Sequence, residues 1–436
     1  MSRLSIADML AMYSKESDDV EGVEGVEEQD EASVVEVAED TESEEIEDAV
    51  EEGEEVVEEG KRIDESAEAL LDATESLESS VAFITALRDR GESLTAASVN
   101  MWSKGVVASM EARGIPAALF DSELVGFGDS FESDNFSDYS VEAEAKGEGI
   151  LKRLWNMIKA AFARLLQWVT RFVGWFRTSS KAVRKAAEKL KSSADKASSE
   201  KLVAGDRKVN LAPFSDLAMG GRLDVDAAVM ALNAAVITSM DTATTLAESV
   251  KKESDNFAKA DGFFTKMIPS FLRDLKTTAE KYANSRDIAV LPGGRKITAY
   301  GDKGKRMNFF GSERFTFKLL VEKDKSAKKL TGLGAPLTLR EISALGSNLI
   351  DLVDRSEAAF KKFEDQFGKV KLQATAIKIS GSKEEAKDAR KAAQLIQSTM
   401  LAAQRIPSAI APIVFPIAKR AYLYGKVSLN QYKKAK

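Results

Sequence analysis

The sequence contains no cysteine and no histidine, and only 8 prolines in 436 residues. Without the first two there can be no disulfide, no Cys/His zinc site, no thiol nucleophile and no Ser-His-Asp or Cys-His relay. A hydrolase or metalloenzyme would have to run on carboxylates, lysine, tyrosine or serine alone, which disfavours most enzyme classes. Long uncharged apolar runs are missing too. Nothing approaches the roughly 18 residues of a membrane-crossing helix, so none is expected. The apolar run in Met1–Tyr13 is short and broken by Asp8, which does not fit a secretory signal.

Hydrophobic residues make up 44% of the chain, enough for a sizeable core, and the length suggests two or three domains at about 150 residues each. Charge is distributed unevenly. Residues 1–142 carry 8 Lys+Arg against 40 Asp+Glu, a net of −32, so the remainder carries +24. Opposed halves imply a chain that folds back on itself or two parts with different fates. An acidic leader of this kind can screen a basic body from polyanions. A tail that only aids solubility fits the composition equally well. The body's charge suits nonspecific contact with double-stranded DNA through phosphate neutralisation.

Along the chain, Leu4, Ile6, Met9, Leu10 and Tyr13 predict a short amphipathic docking helix within residues 1–15. Residues 16–60 are dense in Glu, Asp, Val, Gly and Ser and predict disorder through like-charge repulsion. From Lys61 the pattern changes: Ile63, Leu70, Leu77 and Ile84 recur every seven residues and predict a helix with a continuous apolar seam. A second helix over Leu94–Arg113 completes an acidic helical hairpin within 61–142, followed by a soft stretch, Asp121–Glu148.

Residues 149–177 carry the strongest local signal. Leu151, Leu154, Ile158, Phe162, Leu165, Val169, Phe172 and Phe176 keep helical spacing, and Trp155, Trp168 and Trp175 widen the apolar face. Lys152, Arg153, Lys159, Arg164, Arg171 and Arg177 supply positive charge with no acidic residue among them. Such a helix can be core, a partner-binding face or a membrane-interface helix; tryptophan at helical spacing is most often core. A further basic helix from Lys181, carrying Arg184 and Lys185, continues to Lys201 and closes a basic region over 143–205. These cations are the candidate polyanion or partner contacts.

The rest predicts a helical body over 206–286 and a small β element over 287–322. In the latter, Ile288–Leu291 and Arg295–Tyr300 flank Pro292-Gly-Gly294, and Phe315–Val321 forms a third strand. A C-terminal helical body follows over 323–436. It opens on a capping box, Thr338-Leu-Arg-Glu341, and should break at Pro407, Pro412 and Pro416. The fold class is therefore mainly α with a small antiparallel insertion, preceded by an acidic, partly disordered leader.

Catalytic chemistry is hard to find. Gly301-Asp-Lys-Gly-Lys305 and Gly332-Leu-Gly334 lack phosphate-loop spacing and read as turns. The acid pairs Asp351/Asp354 and Glu384/Glu385 lie on helical stretches rich in Lys and Arg, where a solvated face is the simpler reading. No cofactor or metal pattern is found.

The acidic leader, the tripeptide Ser140-Val141-Glu142 at the charge boundary, Leu291–Ile297 and the closing segment Ala421–Tyr432 together resemble the internal head proteins of large tailed bacteriophages. The resemblance implies a non-enzymatic virion protein packed inside the head among capsid or scaffold proteins. It also implies a prohead protease that cuts after Glu in small-x-Glu motifs; Ser66-Ala-Glu68, Ser76-Leu-Glu78 and Ser130-Phe-Glu132 fit that motif as well. Two other roles are compatible with the residues: a membrane-active or host-ejected effector using 149–177, and an assembly protein self-associating through the Ile63–Ile84 seam.

Overall fold

The computed structural model describes residues 41–90, 92, 95–115, 136–205, 208–259, 264–283, 291–301, 310–311, 314–323, 329–368 and 383–433. The docking helix expected within 1–15 and most of the expected disordered segment lie outside these residues.

The chain folds around one long helix. The hairpin pairs α1 (Thr41–Asp89) with α2 (Ala96–Glu111), and α3 runs unbroken from Phe136 to Ser199. Then come α4 (Val225–Lys259), α5 (Phe264–Ala283), α6 (Leu339–Phe367) and α7 (Lys383–Leu429). α3 lies between α1 on one side and α6 on the other, while α7 packs against α1, α3, α4 and α6. All eight apolar residues that gave 149–177 its helical signal are at most 5% exposed. Phe172 and Phe176 meet Phe360 of α6, the latter stacked at 4.0 Å, and Phe176 also meets Phe415 of α7 at 4.9 Å.

Three expectations are corrected here. Residues 41–60, expected to be disordered, form the first part of α1, because Ile46, Val56 and Val57 are buried against the body and Glu42, Glu45, Glu47 and Glu59 pair with cations of α3 and α7. The boundary drawn at 142/143, with a soft stretch around it, falls inside α3; it is a boundary of charge and not of fold. Finally, α7 passes through Pro407, Pro412 and Pro416 without ending. Each interior proline costs about 3 kcal/mol or more, but Ile406, Ile410, Ala411, Val414, Phe415, Ile417 and Ala418 are all at most 1% exposed, and that burial holds the helix together.

The stretch 391–429 of α7 is long and apolar enough by composition to cross a membrane, contrary to the expectation that no such stretch exists. Of its most apolar window, 67% is buried inside the fold, as in the core helix of a bundle.

The β element is small. Arg295–Tyr300 (β5) pairs antiparallel with Lys318–Lys323 (β8), Arg295 opposite Lys323 and Tyr300 opposite Lys318. Its partner among the described residues is thus the third predicted strand; of the run before the Pro-Gly-Gly turn only Leu291 is described, and it bridges to Arg295. Gly293 takes φ +72° in that turn, a conformation that glycine tolerates without strain. Between β5 and β8, Phe310–Gly311 (β6) pairs with Arg314–Phe315 (β7). Six further two-residue strands numbered in chain order, β1 (Val203–Ala204), β2 (Val209–Asn210), β3 (Ala218–Met219), β4 (Arg222–Leu223), β9 (Leu333–Gly334) and β10 (Tyr432–Lys433), tie connections together in three antiparallel pairs.

The capping box forms as read. Thr338 Oγ1 accepts from the Glu341 backbone N–H at 3.3 Å, and the Thr338 N–H donates to Glu341 Oε2 at 2.7 Å. Thr338→Ala should therefore lower unfolding stability by about 1 kcal/mol in urea titration, while Thr338→Ser should retain most of it.

Candidate functional site

The most extensive contact between helices is that of α1 with α3, where the acidic leader meets the basic helix. α1 carries 18 Asp+Glu and 3 Lys+Arg; α3 has nine Lys+Arg and no acid between Glu148 and Glu188. The two helices run antiparallel. Glu42 pairs with Lys189 at 2.5 Å, Glu45 with Lys185 at 2.6 Å, and Glu59 with Arg171 at 2.7 Å. Toward α7 and the β element, Glu47 pairs with Lys419, and Asp64 and Glu68 with Arg405. Glu68 also reaches Lys318 at 3.5 Å, and Asp72 and Glu75 hold Arg314. Seven basic side chains of the body are thus paired with carboxylates of one leader helix.

The three pairs with α3 are more than half exposed on the basic partner, and each contributes up to about 1 kcal/mol. Arg405 is different. Its side chain is 12% exposed and that of Asp64 15%, with Nε donating to both Asp64 carboxylate oxygens at 2.9 and 2.7 Å. Burial pushes the Asp64 carboxyl above its ordinary range, even with the guanidinium beside it. Burial acts the same way on Glu68, but the combined pull of Arg405, Lys318 and Arg314 outweighs it and leaves that carboxyl below the ordinary range. Arg405 stays charged, held by both acids.

Beneath the ion pairs lies an apolar fit. Trp168 and Trp175, seven residues apart on α3, lie against Gly60 and Gly53, seven apart on α1. A Cβ on Gly60 would sit 2.6 Å from the Trp168 ring, and one on Gly53 would collide with the Trp175 ring. Each indole N–H donates to the α1 carbonyl four residues before its glycine, Trp168 to Val56 at 2.7 Å and Trp175 to Ala49 at 2.9 Å. The missing side chain lets the ring lie flat enough on the helix turn to reach that oxygen. At the other end the sizes reverse, with Val81 of α1 against Gly147 of α3.

The apolar-face residues named from sequence, Trp155, Phe162, Trp168, Phe172 and Trp175, are all buried, at 7% exposure or less. In the intact chain that face is occupied by neighbouring helices. Among the nine candidate cations, Arg171 and Lys185 pair with α1, and Arg177 and Arg184 pair with Glu357 and Asp354 of α6. Lys152, Arg153, Arg164 and Lys181 are exposed and Lys159 is half-buried. Ser140, Val141 and Glu142 fall in the first two turns of α3, so that motif is helical in the intact chain. Glu68 and Glu78, which end two other motifs of the same type, lie within α1. Asp351 and Asp354 are occupied by Arg355, Asn233 and Arg184.

Sequence reasoning missed Gly53, Gly60, Asp64, Arg405, Lys419, Lys189 and Arg314. The signal for the first two was present: a glycine pair and a tryptophan pair with the same seven-residue spacing. Nothing local marks Arg405, whose partners are more than 300 residues away.

No curated protein and no solved structure matches the chain. A family model described as phiKZ-like phage internal head proteins matches residues 15–406. That span takes in the hairpin, α3, the β element and more than half of α7; it stops short of Ala421–Tyr432, so the likeness drawn for that segment rests on the sequence alone. With leader and body both inside the match, the chain belongs to the phiKZ-like phage internal head proteins, structural components of the interior of a virion.

Proposed function

We propose that this structural protein enters the head with its acidic leader seated on the body, and that a prohead protease breaks the covalent link between the two by cutting after Glu142. The body, net +24 from residue 143 onward, then associates with packaged double-stranded DNA without reading its sequence. One observation carries this reading: a single acidic helix neutralises seven basic side chains of the body. Those cations can meet phosphate only when the carboxylates are displaced. Assembly in the host cytoplasm, beside capsid or scaffold proteins, follows from the same reading.

The test compares full-length protein with protein extracted from particles. On immobilised DNA the extracted form should bind more tightly at equal salt. It should also show the steeper salt dependence, because each added phosphate contact contributes about 0.9 to the slope of log K against log salt. Equal binding by both forms would refute the guard role of the leader.

Because Glu142 lies in a helix, the first turns of α3 must open locally before a protease can reach it. Glu142→Gln should abolish one defined fragment in infected cells, and persistence of that fragment would move the cut to another small-x-Glu site.

A further inference from the structure

Cutting a chain and releasing a piece of it are separate events, and the α1 contact bears on the second. We infer that the face of α3 and α7 beneath α1 is a receptor groove for an acidic amphipathic helix, and that the leader helix keeps its place there after the chain is cut. The inference builds on the proposed processing only in naming the occupant. An engineered cut tests it whether or not the natural cut is at Glu142.

The groove has a floor and two rims. Trp168 and Trp175 form the floor, each able to accept a helix only where it lacks a side chain. Arg171, Lys185 and Lys189 of α3 line one rim, and Lys419 and Arg405 of α7, with Lys318, line the other. The occupant this shape selects is a helix with small residues seven apart and carboxylates flanking them on both sides. Gly53 and Gly60, with Glu42, Glu45, Glu47 and Glu59, meet that description.

The contact does not resemble a loosely tethered flap. Ile46, Val56, Val57, Leu70, Leu71 and Leu77 are at most 6% exposed, as buried as the centre of the body. Departure of α1 would open the tryptophan floor to water, strip two indole N–H groups of their acceptors and leave Arg405 without either carboxylate. Loss of the covalent link removes only the effective concentration that the connection provides. Proteolysis therefore leaves a two-piece complex whose leader comes away only when its ion pairs are screened or outcompeted.

The experiment inserts a site-specific protease sequence after Gly114. This turn residue has open space around it, and it precedes α3. The full chain is purified folded, then cut. On gel filtration the excised leader should co-elute with the body at low salt and separate as salt rises. A leader that elutes alone at low salt, from a body that keeps its helical circular dichroism, would overturn the proposal.

Gly60→Val should weaken retention in the cut protein roughly tenfold or more, as overpacking of a tight contact does. Retention equal to that of the unaltered protein would show that the groove does not recognise the small residue. Because that variant also strains the intact chain, a second one changes only rim charge. Glu45→Lys with Glu59→Lys should shift release to lower salt, and an unchanged release point would refute the role given to the rims.

Discussion

Arg405→Ala should destabilise the intact chain by about 3–5 kcal/mol, a large share of the stability of any domain. The cost does not come mainly from losing an attraction. Arg405 is the counterion of two carboxylates, one of them buried, and the substitution leaves Asp64 charged and nearly dry. Replacing Arg405 by methionine should cost almost as much, because the acid stays behind whatever fills the volume. Pairing Arg405→Met with Asp64→Leu should recover a substantial part of the loss, since two apolar groups can replace a buried pair at little cost.

The effect should depend on pH in a definite direction. Burial already raises the Asp64 carboxyl in the folded state, and without the guanidinium it must rise further. A carboxyl raised in the folded state takes up a proton more readily there than in the unfolded chain, so acidification favours folding through that group. The deficit of Arg405→Ala should therefore be largest near neutrality and shrink as the pH falls toward the folded carboxyl's range. Chemical denaturation at several pH values measures this, and a deficit that grew on acidification would contradict the assignment.

The second large effect concerns a glycine whose replacement would ordinarily help. Alanine is about 1 kcal/mol better than glycine inside an exposed helix. Gly174→Ala, with nothing within 4 Å of the added carbon, should follow that rule and stabilise α3. Gly53→Ala should do the reverse, because its new methyl group meets the Trp175 ring; a net loss of about 1–3 kcal/mol is expected. Combining Gly53→Ala with Trp175→Leu should cost less than the two single changes added together, since the ring that clashes is gone. Additive losses would mean that the two residues do not meet.

How much of this could be read from the residues depends on how far apart the partners lie. The α3 helix was legible because Leu151, Leu154, Ile158 and their successors recur at helical spacing, and the start of α6 was legible because Thr338 and Glu341 cap it within four residues. Residues 41–60 were misread because their composition repels itself when considered alone. The cations that relieve the repulsion, Lys185, Lys189 and Lys419, lie far along the chain. The prolines of α7 suggested breaks for the same reason: local chemistry opposes the helix, and burial against distant elements maintains it. The interface itself was half visible. Opposite charge in the two halves left open a chain folding back or two parts with different fates, while the tryptophans were recognised as a face without the glycines that receive them.

Asp64 and Arg405 are separated by 341 residues, and Glu47 and Lys419 by 372. During translation, α1 emerges from the ribosome long before its α7 partners exist, and it cannot dock fully until α7 has been made. Its closely spaced carboxylates would keep that waiting segment hydrated and discourage association between nascent chains. The order of synthesis thus gives the acidic stretch a task before any particle forms, that of staying soluble until the last long helix arrives to close the bundle.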